Sequence, residues 1–144
     1  LNVHQLRERV IELFERSDPS GSLRTSVVSF GYKHGIPRDV DMVIDCRFLP
    51  NPHWVDELRP FTGLDEPVRQ YVLSQPSTQE FLAKVGDLLG LLLPGFVKEG
   101  KAYFTLGIGC TGGQHRSVVI AEEIARTMEG HGFTPAVHHR DVGK

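Results

Sequence analysis

The sequence lacks most of the features that mark secreted, membrane-spanning or nucleic-acid-coating proteins. It holds only two cysteines, Cys46 and Cys110, in 144 residues, too few for a disulfide framework or a four-cysteine zinc site. No apolar run approaches the roughly 18–20 residues that a membrane span needs; the run from Leu88 to Leu93 is interrupted by Gly90 and stopped by Pro94. The opening, Leu1-Asn2-Val3-His4-Gln5, is polar and unlike a secretory signal. Neither sign of charge dominates. Sixteen Lys and Arg against eighteen Asp and Glu give a formal charge of −2, which argues against a generally basic nucleic-acid binder but not against a local basic patch. Repeats, low-complexity tracts and interdomain linkers are also missing, so the expectation is one domain over residues 1–144 in a reducing, cytoplasmic setting.

What is present patterns as alternating helices and strands. Hydrophobic residues at 40% and charged residues at 24% are typical of a globular domain. Val3, Leu6, Val10, Leu13 and Phe14 fall at helical spacing, which predicts an amphipathic helix over residues 3–16. Strands are predicted over 26–30 and 42–46, helices over 67–74 and 77–98 with Gly86 and Gly90 as kink points, and a strand over 102–108. That last run is apolar enough to suit a sheet covered on both faces. A helix over 114–130 and a short strand over 134–138 complete the pattern. Strands separated by helices imply an α/β fold, a small and mostly parallel sheet flanked by helices. In such sheets ligands gather at the carboxyl ends of the strands.

Three strand ends carry the chemistry. After the third predicted strand comes Gly109-Cys110-Thr111-Gly112-Gly113-Gln114-His115-Arg116-Ser117, a glycine turn running straight into a helix. Glycines let backbone N–H groups converge on an anion, and the helix start adds partial positive charge. The Arg116 side chain offers a planar fork suited to a phosphate, and the Thr111 and Ser117 hydroxyls are further donors. The string is not a Walker A loop, since no Gly-x-x-x-x-Gly-Lys-Ser/Thr occurs, and the glycine spacing from Gly107 matches the dinucleotide fingerprint only weakly. The loop after the first strand carries Lys33 and His34, set between Gly31 and Gly35; Arg47 stands just past the second strand, and the chain leads on through Pro50-Asn51-Pro52 to His53, with Trp54 read as a core aromatic. Lys33, His34, Arg47, His53, His115 and Arg116 gathered in one crevice would repel one another unless an anion neutralised them. The same basic neighbours, and the lack of paired ligand spacing, disfavour a zinc site. Cys110 followed after five residues by Arg116-Ser117 also has the spacing of a cysteine-dependent phosphatase, in which a thiolate attacks a bound phosphate. Gly109 stands where those enzymes usually carry His, and no acid loop is assignable, so Cys110 reads as structural and no residue is read as catalytic.

Four ordered strings, Ser29-Phe30-Gly31-Tyr32-Lys33-His34-Gly35-Ile36-Pro37, Asp45-Cys46-Arg47-Phe48-Leu49-Pro50-Asn51-Pro52-His53-Trp54, Leu58-Arg59-Pro60-Phe61-Thr62-Gly63-Leu64-Asp65 and Gly109 to Ser117, together resemble the C-terminal domain of the RapZ/YvcJ family, bacterial RNase adapters and P-loop nucleotide-binding proteins. The resemblance implies a phosphofructokinase-like α/β fold and self-association. It also implies a preceding P-loop domain for ATP and GTP that is absent from this chain, which opens with Leu rather than Met. It further implies a pocket for glucosamine-6-phosphate formed by His34, Arg47, His53, Thr111, Gly112, His115 and Arg116, and small-RNA binding in some members. Lys33, Gly113 and Ser117 join that pocket on the reading of the loops. The expected ligand is a phosphorylated sugar or a phosphate- or sulfate-like anion, with no cofactor or metal in this domain. Gln114 stands where RNA-binding relatives commonly have Lys, and the ending His138-His139-Arg140-Asp141-Val142-Gly143-Lys144 is less basic than theirs.

Overall fold

The strand Tyr103–Cys110 sits at the centre of a sheet because alternate residues supply opposite needs. Phe104, Leu106, Ile108 and Cys110 point to one side and are all buried, while Tyr103, Thr105, Gly107 and Gly109 form the other side. The computed structural model describes residues 23–144, so the helix expected over 3–16 lies outside the described residues. In chain order the strands are β1 (Arg24–Gly31), β2 (Met42–Asp45), β3 (Tyr103–Cys110) and β4 (Ala136–His139), and the helices are α1 (Glu66–Leu73), α2 (Pro76–Glu99) and α3 (Arg116–Gly130). Single 3-10 turns cover Tyr32–His34 and Pro52–Trp54. All strand pairs are parallel, in the order β2-β3-β1-β4.

The main core lies between one face of the sheet and the three helices. Val27, Phe104, Leu106 and Ile108 from the sheet meet Val68 and Val72 of α1, Leu89 and Leu93 of α2, and Ile120, Ile124 and Met128 of α3. The expectation of a sheet covered on both faces is corrected for the described residues. On the far side Tyr103 and Val43 are exposed, and Ser26 and Thr105 pair their hydroxyls at 2.9 Å. Phe30 is fully buried there beside the buried Gly107 and Gly109, and a side chain at Gly109 would run into the Phe30 and Tyr32 rings. The continuous apolar look of this strand thus comes partly from glycines that make room for neighbouring rings.

Helix α2 runs through Gly86, Gly90 and Pro94 as one element, ending at Gly100 with a left-handed φ of 87°. Gly86 and Gly90 face Thr127 at the end of α3 and His131 just beyond it at 3.3–3.4 Å from where a Cβ would lie, so their smallness allows the two helices to cross closely. Among the described residues no helix is long and apolar enough to cross a membrane.

Candidate functional site

Parallel pairing brings three strand ends to one edge. Gly31 of β1 lies opposite Cys110 of β3, and the Cys46 N–H just past β2 donates to the Gly109 carbonyl at 2.8 Å. The loop from Thr111 to His115 is pinned from both sides. The Lys33 N–H donates to the Thr111 carbonyl at 3.2 Å and the Gly63 N–H to the Gln114 carbonyl at 2.8 Å. Gly113 has a φ of 75°, and a Cβ there would lie 2.6 Å from the Gly31 nitrogen and 2.9 Å from the Asp141 Cβ. This turn therefore requires glycine on two independent grounds.

Asp141 locks the arrangement. Its buried carboxylate accepts from the Gly31 N–H at 2.8 Å, from Arg140 at 2.7 Å and from Lys144 at 2.9 Å. Burial alone would push this carboxyl up, but the hydrogen bonds from Arg140, Gly31 and Lys144 outweigh it and hold the group well below the usual carboxylate range. Gln114 ties the same segment down, donating to the carbonyls of Asp141 and Lys144 and accepting from the Gly143 N–H.

Arg116, the first residue of α3, is only 5% exposed. Its guanidinium donates to the backbone carbonyls of Arg47 and Leu49 and, at 3.4 Å, to the Thr111 hydroxyl. Its Nε has no partner, and among the described residues no carboxylate lies within ion-pair distance of it. A buried cation satisfied by neutral groups at a helix start leaves positive potential for an anion. His115 beside it donates from Nε2 to the Phe61 carbonyl at 2.7 Å; a carbonyl only accepts, so Nε2 carries the proton. Burial lowers its pKa, opposed by the Phe61 carbonyl and reinforced by His53 and Arg116. The His53 and His115 ring centres are 6.4 Å apart.

These groups enclose a cavity of about 360 Å³ lined by Thr111, Gly112, His115 and Arg116 on its floor and by Lys33, Asn51, His53, Trp54 and Gln114 around it, with Cys110 beneath. Among the described residues, no Asp or Glu lines it. Of the expected site residues, Lys33, His53, Thr111, Gly112, His115 and Arg116 are thus brought together. The others are placed elsewhere. His34 is exposed and does not line the cavity. The Arg47 side chain is turned away, stacked 3.8 Å over the Tyr32 ring and paired with Asp45 at 2.7 Å; only its carbonyl reaches the site, through Arg116. Gly113 is a brace behind the floor, and Ser117 is fully buried, accepting from the Cys110 thiol at 3.1 Å.

The reading of Trp54 as a core aromatic is corrected: it is 76% exposed at the cavity wall. Its turn is too short and too proline-constrained to fold the indole inward. Asn51 and Gln114 were also missed, although Asn before Pro and a polar residue before a helix start are both turn signals. Both thiols are buried. Cys46 donates to the Gly109 carbonyl at 3.2 Å, and burial, with Cys110 nearby, pushes its pKa above the ordinary value.

A family model described as the RapZ C-terminal domain matches residues 23–143. The chain is 54% identical over 149 residues to a nucleotide-binding protein of Acidothermus cellulolyticus, an alignment spanning all of this chain and 48% of that protein. It is 53% identical over 144 residues to a nucleotide-binding protein of Thermobifida fusca, again spanning the whole chain and 49% of the relative. The chain spans about half the length of the curated relatives it matches. It belongs to the RapZ C-terminal domain family.

Proposed function

We propose that this RapZ C-terminal domain is a non-catalytic sensor whose pocket binds a phosphorylated sugar, with glucosamine-6-phosphate the first candidate. The observation that carries the reading is Arg116, a buried guanidinium with no carboxylate in ion-pair reach among the described residues, set at a glycine turn and helix start beside His115. A phosphate at this floor gains the helix-start amides and the Arg116 charge together. With no acidic residue lining the pocket among the described residues, the phosphate rather than the amine supplies most of the discrimination. The occupied pocket would signal to the P-loop half of the full-length protein and to its other partners, a second copy of the chain or RNA among them.

The rival reading is a cysteine-dependent phosphatase. The Cys110 thiol is buried and donates to Ser117, which supports a structural role over a nucleophile awaiting substrate. The nearby Asp45 carboxylate, which could serve as an acid, is committed to Arg47, whose hydrogen bonds lower its pKa. Calorimetric titration with glucosamine-6-phosphate, glucosamine and inorganic phosphate tests the proposal. The sugar phosphate is expected to bind and unphosphorylated glucosamine to give no measurable heat. Binding of glucosamine alone would refute a phosphate floor, and aryl phosphate turnover that disappears in Cys110→Ser would replace the sensor by the enzyme.

A further inference from the structure

The cavity wall differs in chemistry from its floor. Trp54 is the one tryptophan of the chain, and it stays largely in water while lining a pocket whose floor is cationic. Its backbone is fixed rather than loose. The Trp54 N–H donates to the Asn51 carbonyl at 3.2 Å, the Asn51 side chain accepts from the His53 N–H at 3.1 Å, and Arg59 donates to the His53 carbonyl at 3.0 Å. The His53 ring meets the indole edge-on, with centres 5.4 Å apart and planes at 76°. A large apolar ring held exposed at the mouth of a ligand-sized cavity forgoes burial that a bound molecule would restore. At about 360 Å³ the cavity is at the lower end of small-molecule pockets, and a phosphate on the floor leaves the Trp54 side unfilled.

Resting on the phosphate floor proposed above, we infer that Trp54 is the specificity element of this pocket. It selects a ring-shaped phosphate ester by stacking on the C–H face of the sugar. The C–H groups of a pyranose carry slight positive charge and are drawn to the negative face of the indole, while the ring hydroxyls stay free for polar neighbours. An open-chain phosphate ester offers the same charge to Arg116 but no flat face to Trp54. Inorganic phosphate offers neither a face nor a chain.

Calorimetric titration of wild type, Trp54→Ala and Trp54→Phe with glucose 6-phosphate, glycerol 3-phosphate and inorganic phosphate separates the two claims. In wild type the hexose phosphate is expected to bind roughly tenfold tighter than glycerol phosphate. Trp54→Ala should erase that preference while leaving inorganic phosphate affinity within about twofold, and Trp54→Phe should restore part of it. The wild-type tryptophan fluorescence should change with the hexose phosphate and not with inorganic phosphate. Equal affinities in wild type, or an equal loss for all three ligands in Trp54→Ala, would overturn the role of Trp54 and leave the floor standing. Binding of none of the three phosphates would remove the floor and this inference with it.

Discussion

The floor and the wall of the pocket are built on opposite plans. The floor, from Thr111 to Arg116, is clamped by backbone hydrogen bonds from Lys33 and Gly63, by the close approach of Gly113 to Gly31, and by the Asp141 carboxylate. The wall, with Lys33, His53 and Trp54, places its side chains in solvent on short turns. Mutation should therefore affect stability and binding together on the floor, and binding alone on the wall. Two arginines repeat the contrast: Arg116 is buried with no carboxylate in reach among the described residues, and Arg47 is exposed, stacked and paired with Asp45.

The largest effect is expected from Gly113→Ala. A non-glycine residue at this φ costs about 1–3 kcal/mol, and forcing a methyl group against the Gly31 backbone adds roughly 1–3 kcal/mol more. Urea denaturation should show the loss, and an unchanged midpoint would mean the floor yields easily and the comparison is misplaced.

Next comes Arg116→Ala, which strikes both properties. Loss of a charge-assisted hydrogen bond of about 1.5–3 kcal/mol should weaken a phosphorylated ligand by roughly 10- to 150-fold. The same variant frees the carbonyls of Arg47 and Leu49, so its ligand-free melting temperature should fall. Arg116→Lys, which keeps charge without the planar fork, should lie between. A variant that melts lower yet binds normally would reduce Arg116 to a clamp.

Acid should loosen the floor without any substitution. Because the folded-state pKa of Asp141 is depressed, its contribution is present above the unfolded value near 3.9 and is lost as pH falls through the folded one. The gap in melting temperature between wild type and Asp141→Asn should hold from pH 6 to about pH 5 and narrow from there to pH 2. A constant gap would mean that the carboxylate is not what Gly31 depends on.

The smallest effect belongs to Arg47→Ala, for which ligand affinity should stay within about twofold, as expected of an exposed ion pair. A tenfold loss would place the Arg47 side chain in the bound pocket and blur the division between floor and wall.

Local chemistry was readable where the sequence changes period. The passage from β3 through the glycine turn into α3 shows as a strand-like run, a cluster of glycines and then helical spacing, and the parallel sheet follows from the alternation of elements. Sequence places the end of β3 too early, because Gly109 looks like a turn residue. It stays in the strand, paired through its carbonyl to Cys46 and giving its missing side chain's space to Phe30 and Tyr32. The fates of Arg47 and Arg116 could not be told apart, since both follow strands as basic residues near glycine or proline. What separates them is tertiary: Asp45 captures one, and the Arg47–Leu49 backbone folds over the other. Trp54 shows the same limit, since an aromatic after two prolines reads as buried until the length of its turn is known.

The pairing of β1 with β3 has a kinetic meaning. Ser26 and Thr105, which touch across these strands, are 79 residues apart in the chain, so the sheet's central seam forms only after a long loop has closed, a slow step for parallel topologies. The pocket floor hangs from the end of that same seam, at Gly31 and Cys110. Its other anchor is the segment from Asp141 to Lys144, so its amide hydrogens should exchange with solvent when that segment lets go of Gly31 and Gln114 or when the sheet itself comes apart. A ligand held there would then slow exchange along the whole of β1 and β3, so that occupancy is written into the lifetime of the entire domain.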